Sequence, residues 1–503
     1  MKEQLINPAS VEEARKFLES SNSSSGAPFS AFVYGNAFTD EEIFVGVGIG
    51  NSKVNKPVDK DMYWRWASMT KLLGNIILTA ALEDSIIESL DDPIYKYIPE
   101  FSTINSWVQD AKREPGTDKY GTPNYSMVLG FEEGLGKKIT VRDILKSTTG
   151  LGYAFWGTGS RRNIVNAFSN VPSDQRYIAW LQYLESLYPD GQGFTDITPY
   201  YNLKLSKKTY TITELILERL KYPLLCYPGS DYYYGMEHEI TGGIISGGLL
   251  RKGIVKTSAE YCKERIFEPL GMKNTWLGCG SLNPPSDYDE KVTNAFFVRA
   301  NDIDGQAGPL VQLNTLYRDS QLEAQGDGFV FLSRDPFTKT HEPTDIYAGG
   351  YSSVGIGTLT DFCKLMKLII NNGVVHKKSC FCNITEVRVL SPQSIQFLIN
   401  PKNDKISGIW NLGRDTQNLL GPNDVWMGGG AVTDKYNAPV LPFAIGEGTF
   451  RWAGFFQTSF YFDINTGNYL VSGTQAAGVS WLLPTSTSSF QPSTLKLWQI
   501  LTK

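Results

Sequence analysis

Strand-like runs sit at the two ends of this chain, and the patterns between them are mostly helical or loop-like. Near the start, SAFVYG (30–35) and EEIFVGVGIG (41–50) are β-branched and aromatic runs separated by turn residues, which reads as a hairpin. MYWRWA (62–67) is a third strand candidate. Near the end, TSFYFDINTGNYLVSGT (458–474) reads as a second hairpin, with Asn465-Thr466-Gly467 in its turn. Apolar residues at three- and four-residue steps predict helices over 71–84, 211–221, 238–250, 258–267 and 359–371. STLKLWQIL at the C-terminus reads as a short closing helix. Strands at both ends with helices between them predict one antiparallel sheet drawn from the two termini and a helical lobe packed against it. The expected fold class is therefore α/β of the α+β type. Residues 1–71 and 346–503 form its sheet part and 72–345 its mostly helical lobe, in one composite domain. Turn-rich stretches at about 105–137, 157–210 and 280–345 read as insertions or long loops around the site.

Composition narrows the function. Of the 503 residues, 41% are apolar and 20% charged, a folding rather than a disordered balance. A net charge of −5 without a long basic run gives no electrostatic ground for nucleic acid or an anionic membrane surface. No apolar run approaches the roughly 18 residues of a membrane span. The N-terminal MKEQLINPASVEEARKFLE lacks the apolar core of a signal peptide, so the chain reads as cytoplasmic. Six cysteines are too few for a disulfide scaffold and, with three histidines, compose no metal-ligand set; neither metal nor cofactor is expected.

YWRWASMTKLLGNIILTAAL (63–82) places Ser68 and Lys71 at the head of an otherwise almost wholly apolar helix. Serine is a weak nucleophile until a base takes its proton. With three histidines and no G-x-S-x-G, a Ser-His-Asp triad of the nucleophile-elbow type is not expected. Lysine can serve as that base if burial or a neighbouring cation brings its pKa from about 10.4 toward neutrality. Positions i and i+3 share a helix face, and the helix N-terminus offers N–H groups and a positive dipole end to an oxyanion. On this local pattern alone, an ordinary serine cap followed by a surface lysine explains Ser68 and Lys71 equally well. A second S-x-x-K, Ser493–Lys496, has no strand leading into it and reads as chance.

The wider context favours chemistry. MYWRWASMTKLLGNIILTAALEDSIIESLDDPIYKYIPEF (62–101) resembles the serine β-lactamase-like, penicillin-binding-protein-like family, closest to class C β-lactamases and their esterase relatives. ITVRDILKSTTGLGY (139–153), IFEPLGMKNTW (266–276) and AGGYSSVGIGTLTDFCKLMKLIINNG (348–373) are similar to further family stretches in the same order, with Ser147 where a histidine is usual. The resemblance spans roughly 30–480. It implies that Ser68 is the nucleophile and Lys71 the base. In YPGSDYYYGMEHEITGGII (227–245) it implies Tyr234 as the catalytic tyrosine, with Met236 where asparagine is common. Tyr232 and Tyr233 offer neighbouring registers, and Tyr200–Asn202 is a literal Y-x-N without the Pro-Gly turn. In FRWAGFFQTSFYFD (450–463), Trp452-Ala453-Gly454 stands where β-lactamases carry K-T-G. Trp452 would line the site, Gly454 would let substrate approach, and the N–H groups of Ser68 and Phe455 would bind the oxyanion.

The implied activity is a metal-independent serine hydrolase that works through an acyl-enzyme on a small-molecule ester, amide or lactam. The missing lysine makes it esterase-like rather than penicillin-hydrolysing. The alternatives are an acyltransferase, a β-lactamase or D-amino-peptidase-type enzyme, and a non-catalytic binding or scaffold descendant of the fold.

Overall fold

The computed structural model describes residues 6–25, 27–117, 123–151, 224, 226–230, 232, 234–235, 237–277, 285–300, 307–313, 351–352, 355–378, 384–399, 424–427, 430–433, 448–454, 456–477 and 492–503. The two chain ends meet in one eight-stranded antiparallel sheet. Its strands are β1 (Phe29–Asn36), β2 (Glu41–Asn51), β3 (Lys56–Pro57), β4 (Asp424–Met427), β5 (Gly430–Thr433), β6 (Thr449–Gly454), β7 (Thr458–Asp463) and β8 (Asn468–Gly473). Their spatial order is β4-β5-β6-β7-β8-β1-β2-β3. The seam between the ends is the β1–β8 pairing, from Ala31↔Gly473 to Asn36↔Asn468.

Asn36 shows why the two hairpins lock together. Its Oδ1 accepts from the N–H groups of Phe38 and Thr39, at 2.9 and 3.2 Å, and so closes the first turn. Its Nδ2 donates to the Thr466 carbonyl and to Asn468 Oδ1, at 2.9 and 2.8 Å, in the last turn. Side chains alternate across the sheet. Phe32, Tyr34, Tyr461 and Leu470 cluster with Leu18 of helix α1 (Pro8–Ser25) and Leu497 and Trp498 of the closing helix Pro492–Leu501. Ala31, Val33, Phe460, Phe462 and Val471 join the main core instead. That core also takes α2 (Thr70–Glu83), α3 (Val141–Lys146), α4 (Thr241–Arg251) and α5 (Leu359–Ile370).

The sequence pattern differs from the structure in four places. MYWRWA forms a strand only at Trp64–Arg65, which pairs with Ile356–Gly357, itself paired with Thr275–Trp276. Stretch 105–137, expected to be loop-like, holds a hairpin of Ser106–Thr117 with Pro123–Glu132. Its polar DAKREPGT has no steady alternation, so backbone bonds rather than a side-chain pattern define it. Stretch 280–345 contains the paired strands Ala295–Ala300 and Ala307–Leu313. Helix α1 has no strong apolar stripe to announce it, and over residues 8–23 only Ser10, Ala14 and Leu18 are buried. The expected helix over 211–221 and the stretch 157–210 lie outside the described residues. Among the described residues no helix is long and apolar enough to cross a membrane.

Candidate active site

Every residue from Met62 to Ala81 is buried except Ser68, which is half-buried. The chain therefore reaches the surface at a serine and nowhere else along these twenty residues. Ser68 sits in a short 3₁₀ turn, Ala67–Met69, that runs directly into α2. Ala67 adopts φ +47°, a left-handed conformation that is costly for a residue with a Cβ and persists only where neighbours enforce it.

Those neighbours are on three sides. The Trp66 N–H donates to the Gly355 carbonyl at 2.9 Å. Thr70 Oγ1 donates to the Ala67 carbonyl at 2.6 Å and accepts from the Gly355 N–H at 3.1 Å. From the sheet, Thr458 Oγ1 donates to the Trp66 carbonyl at 3.1 Å. Gly454 ends β6 against the same turn, where a Cβ would lie 2.3 Å from the Trp66 carbonyl oxygen and 3.2 Å from Ala67 Cβ. Only glycine lets the strand come this close. Phe455, the expected second oxyanion donor, lies outside the described residues.

Lys71 is one turn on from Ser68 and fully buried. Its Nζ donates to Ser352 Oγ at 2.6 Å and to the Ser352 carbonyl at 3.1 Å. It also stands 4.6 Å above the centre of the Tyr234 ring. Burial pushes the ammonium down to about 8, against the charges of Glu237 and then Glu239, which hold it up. Tyr234 is itself buried, and its hydroxyl accepts a hydrogen bond from Trp452 Nε1 at 3.2 Å, the two rings lying 5.1 Å apart at 60°. Ser68, Lys71, Tyr234, Trp452 and Gly454 thus converge from α2, the loop before α4, and β6. Tyr233 and Met236 lie outside the described residues, as does Tyr200–Asn202.

Sequence reasoning missed Ser352, whose two oxygens hold the lysine 281 positions away along the chain. It also missed a buried polar cluster beside α2. Ser147 Oγ donates to Glu237 Oε1 at 2.5 Å, His238 Nδ1 lies 3.3 Å from the same oxygen, and His238 Nε2 lies 3.1 Å from Asn75 Oδ1. All four residues are fully buried. The carboxylate lies between the serine and His238, so the His238 ring does not face the Ser147 hydroxyl and these three residues are not a second triad. Burial pushes His238 down, toward the neutral imidazole. A neutral ring that donates from Nδ1 needs a donor at Nε2. Turning the Asn75 amide supplies one, and it also gives Nδ2 the partner it otherwise lacks among the described residues.

The comparisons with known proteins bear on the family and the fold. A family model described as Beta-lactamase matches residues 33–478. No curated protein sequence matches the chain at a significant level. Among solved structures, EstCE1, a hydrolase with promiscuous acyltransferase activity, is similar at 13% identity over 98% of each chain, with a TM-score of 0.58. Simvastatin synthase (LovD) from Aspergillus terreus is similar at 15% identity over 98% of this chain and 97% of its own, with a TM-score of 0.60. The octameric penicillin-binding protein homologue from Pyrococcus abyssi is 13% identical over 97% of this chain and 76% of its own, with a TM-score of 0.52. At these identities the likeness is one of fold.

Proposed function

The chain belongs to the beta-lactamase family, and on that premise we propose that it is a serine hydrolase that cleaves uncharged esters through an acyl-enzyme. The observation that carries the reading is the single break in burial at Ser68, with a buried lysine one turn behind it whose pKa burial lowers to about 8. In this mechanism neutral Lys71 takes the Ser68 proton as Oγ attacks the acyl carbonyl. The Tyr234 hydroxyl, which keeps its own hydrogen while accepting from Trp452, passes a proton to the departing alkoxide and is recharged from Lys71. The carbonyl–alkoxide bond breaks and the acyl group stays on Ser68. Water then attacks the acyl-enzyme as its proton returns through the same pair, and Ser68 leaves as its hydroxyl. An alcohol in place of water would turn the same intermediate to acyl transfer, the activity for which EstCE1 is described.

A fluorophosphonate probe and a p-nitrophenyl ester test the assignment. Ser68→Ala should lose covalent labelling and ester turnover with its fold intact; loss of the nucleophile costs serine hydrolases on the order of 10⁶ in kcat. Ser493→Ala should change neither readout. Undiminished hydrolysis by Ser68→Ala would sink the assignment.

Trp452 supports the substrate class. A lysine in its place would give an anionic lactam a charge-assisted hydrogen bond of roughly 1.5–3 kcal/mol. An indole whose N–H is turned to Tyr234 offers an apolar wall instead. Short-chain aryl esters should therefore exceed a chromogenic cephalosporin in kcat/KM, and Trp452→Lys should narrow the gap. A wild type that prefers the cephalosporin would overturn the esterase preference while leaving Ser68 and Lys71 in their roles.

A further inference from the structure

The proposed mechanism uses Lys71 but says nothing of the anions buried beside it. Glu237 is fully buried, and a carboxylate in that position must be held by donors and opposite charge or it takes up a proton. Two donors meet one of its oxygens, the Ser147 hydroxyl and the His238 ring. Its other oxygen, Oε2, has no hydrogen-bond partner among the described residues.

The cluster is fastened to Lys71 by three routes. His238 reaches Asn75, one turn beyond Lys71 on α2, and packs on Gly74, where a Cβ would lie 3.3 Å from the ring. The His238 carbonyl accepts from the Tyr351 N–H at 3.2 Å, next to the Ser352 that holds the ammonium. Tyr234, three residues before Glu237, carries Lys71 over its ring. An anion fixed to the helix, to the Ser352 turn and to the tyrosine cannot move independently of the lysine.

We propose that Glu237 is a positioning residue for Lys71: a buried anion, clamped by Ser147 and His238, that steadies the ammonium between catalytic cycles. The inference rests on Lys71 being the base of the reading above. Burial raises the Glu237 carboxyl, but the His238 hydrogen bond, the Lys71 charge and the Ser147 hydroxyl outweigh it and leave the group below its ordinary range. The charged and titratable groups around Lys71 are Glu237 and Glu239 as anions, His238 as the neighbouring titratable base, and Tyr234; Tyr232, raised by burial, also feels Tyr234 and Glu237. Without Glu237, Lys71 would lose the stronger of the two anions that hold its proton and would give it up more easily. The departure of Ser147 from the histidine usual in the family then has a physical role. A hydroxyl there donates to Glu237 and adds no second cation beside Lys71.

The test is the rate of Ser68 labelling by a fluorophosphonate as a function of pH, which needs no substrate. Removal of an opposite charge within this range moves a pKa by about 1–3 units. Glu237→Gln should lower the midpoint of the acid limb by about one unit, while Glu237→Asp should keep it near that of the wild type. A midpoint unchanged in folded Glu237→Gln overturns the proposal. Should Gln not fold, Glu237→Met removes the same charge with an unbranched apolar chain. Failure of both to fold, checked by circular dichroism, overturns it too, since the residue is then structural. A wild type that is never labelled at Ser68 would instead overturn the functional reading itself.

Discussion

The two ends of α2 face the same electrostatic disadvantage and meet it differently. A cation near a helix N-terminus and anions near its C-terminus both oppose the helix dipole, and α2 carries Lys71 in its first turn and Glu83 and Asp84 at its last. At the C-terminal end the anions are answered directly. Arg265 reaches Glu83 at 3.1 Å and Asp84 at 3.0 Å, Tyr261 donates to Asp84 at 2.7 Å, and Ser391 and Ser394 donate to Glu83. Burial pushes Glu83 up, yet those serine bonds and Arg265 bring it below the usual carboxylate range. At the N-terminal end Lys71 is given neutral oxygens, a ring face and anions whose charge does not make up for lost water, and it falls to about 8. One end spends its charges on holding the helix in place. The other keeps a charge uncomfortable, which is how a fold obtains a base near neutral pH.

Breaking the uncomfortable end should give the largest effect. Lys71→Met should lower kcat/KM by about 10²–10⁴, the usual worth of general-base catalysis. It should also raise stability. A lysine whose pKa falls from 10.5 unfolded to about 8 folded costs on the order of 3 kcal/mol. That cost is fully present below the folded pKa and is relieved as pH rises from about 8 to 10.5, where the unfolded chain holds the extra proton. The variant's advantage in urea unfolding should therefore be greatest at pH 7 and shrink toward pH 10. In the wild type, kcat/KM should rise with pH through a midpoint near 8. A stability difference between the Met variant and wild type that does not change between pH 7 and pH 10 would mean that the lysine is not under the strain argued here.

Breaking the satisfied end should do the reverse. Arg265→Gln leaves Glu83 and Asp84 without their cation at a half-buried site, and about 2 kcal/mol of stability should be lost. Thermal unfolding should show it. Ester hydrolysis well below the new Tm should be unchanged, because the ion cluster lies a whole helix length from Ser68. An equal loss of activity would mean that the two ends are mechanically linked.

The same contrast decides what could be read from the sequence. The hairpins of β1–β2 and β7–β8 were legible because alternation and turn residues are local. So was α5, whose Thr358 caps Asp361 at the start of a clear apolar stripe. The placement of Ser68 and Lys71 one turn apart at the head of α2 was legible because their spacing is local; their roles remain part of the proposal. Ser352, Glu237 and His238 were not legible. Each acts through a partner distant in sequence, and a serine, an acid and a histidine in a mixed stretch have no periodicity that announces burial. The 106–132 hairpin escaped for a similar reason, since its order comes from backbone pairing.

The smallest effect is the sharpest test of how the N-terminal end is built. Trp452→Phe keeps an aromatic ring against Tyr234 and removes the indole N–H that the tyrosine accepts, together with a small part of the buried ring. A neutral hydrogen bond of this kind contributes about 0.5–1.5 kcal/mol net. If the bond aims the Tyr234 hydroxyl at the leaving group, it matters in the transition state more than in the ground state. The loss should then fall on kcat, about two- to tenfold, with KM nearly unchanged. Stability should move by less than about 1 kcal/mol, because most of the packing between the two rings is kept. Arg265→Gln and Trp452→Phe would thus form opposite halves of one comparison, stability lost without rate and rate lost without stability. A change confined to KM would assign Trp452 to the substrate wall alone. No change in either constant would remove Trp452 from the account of how Tyr234 is held.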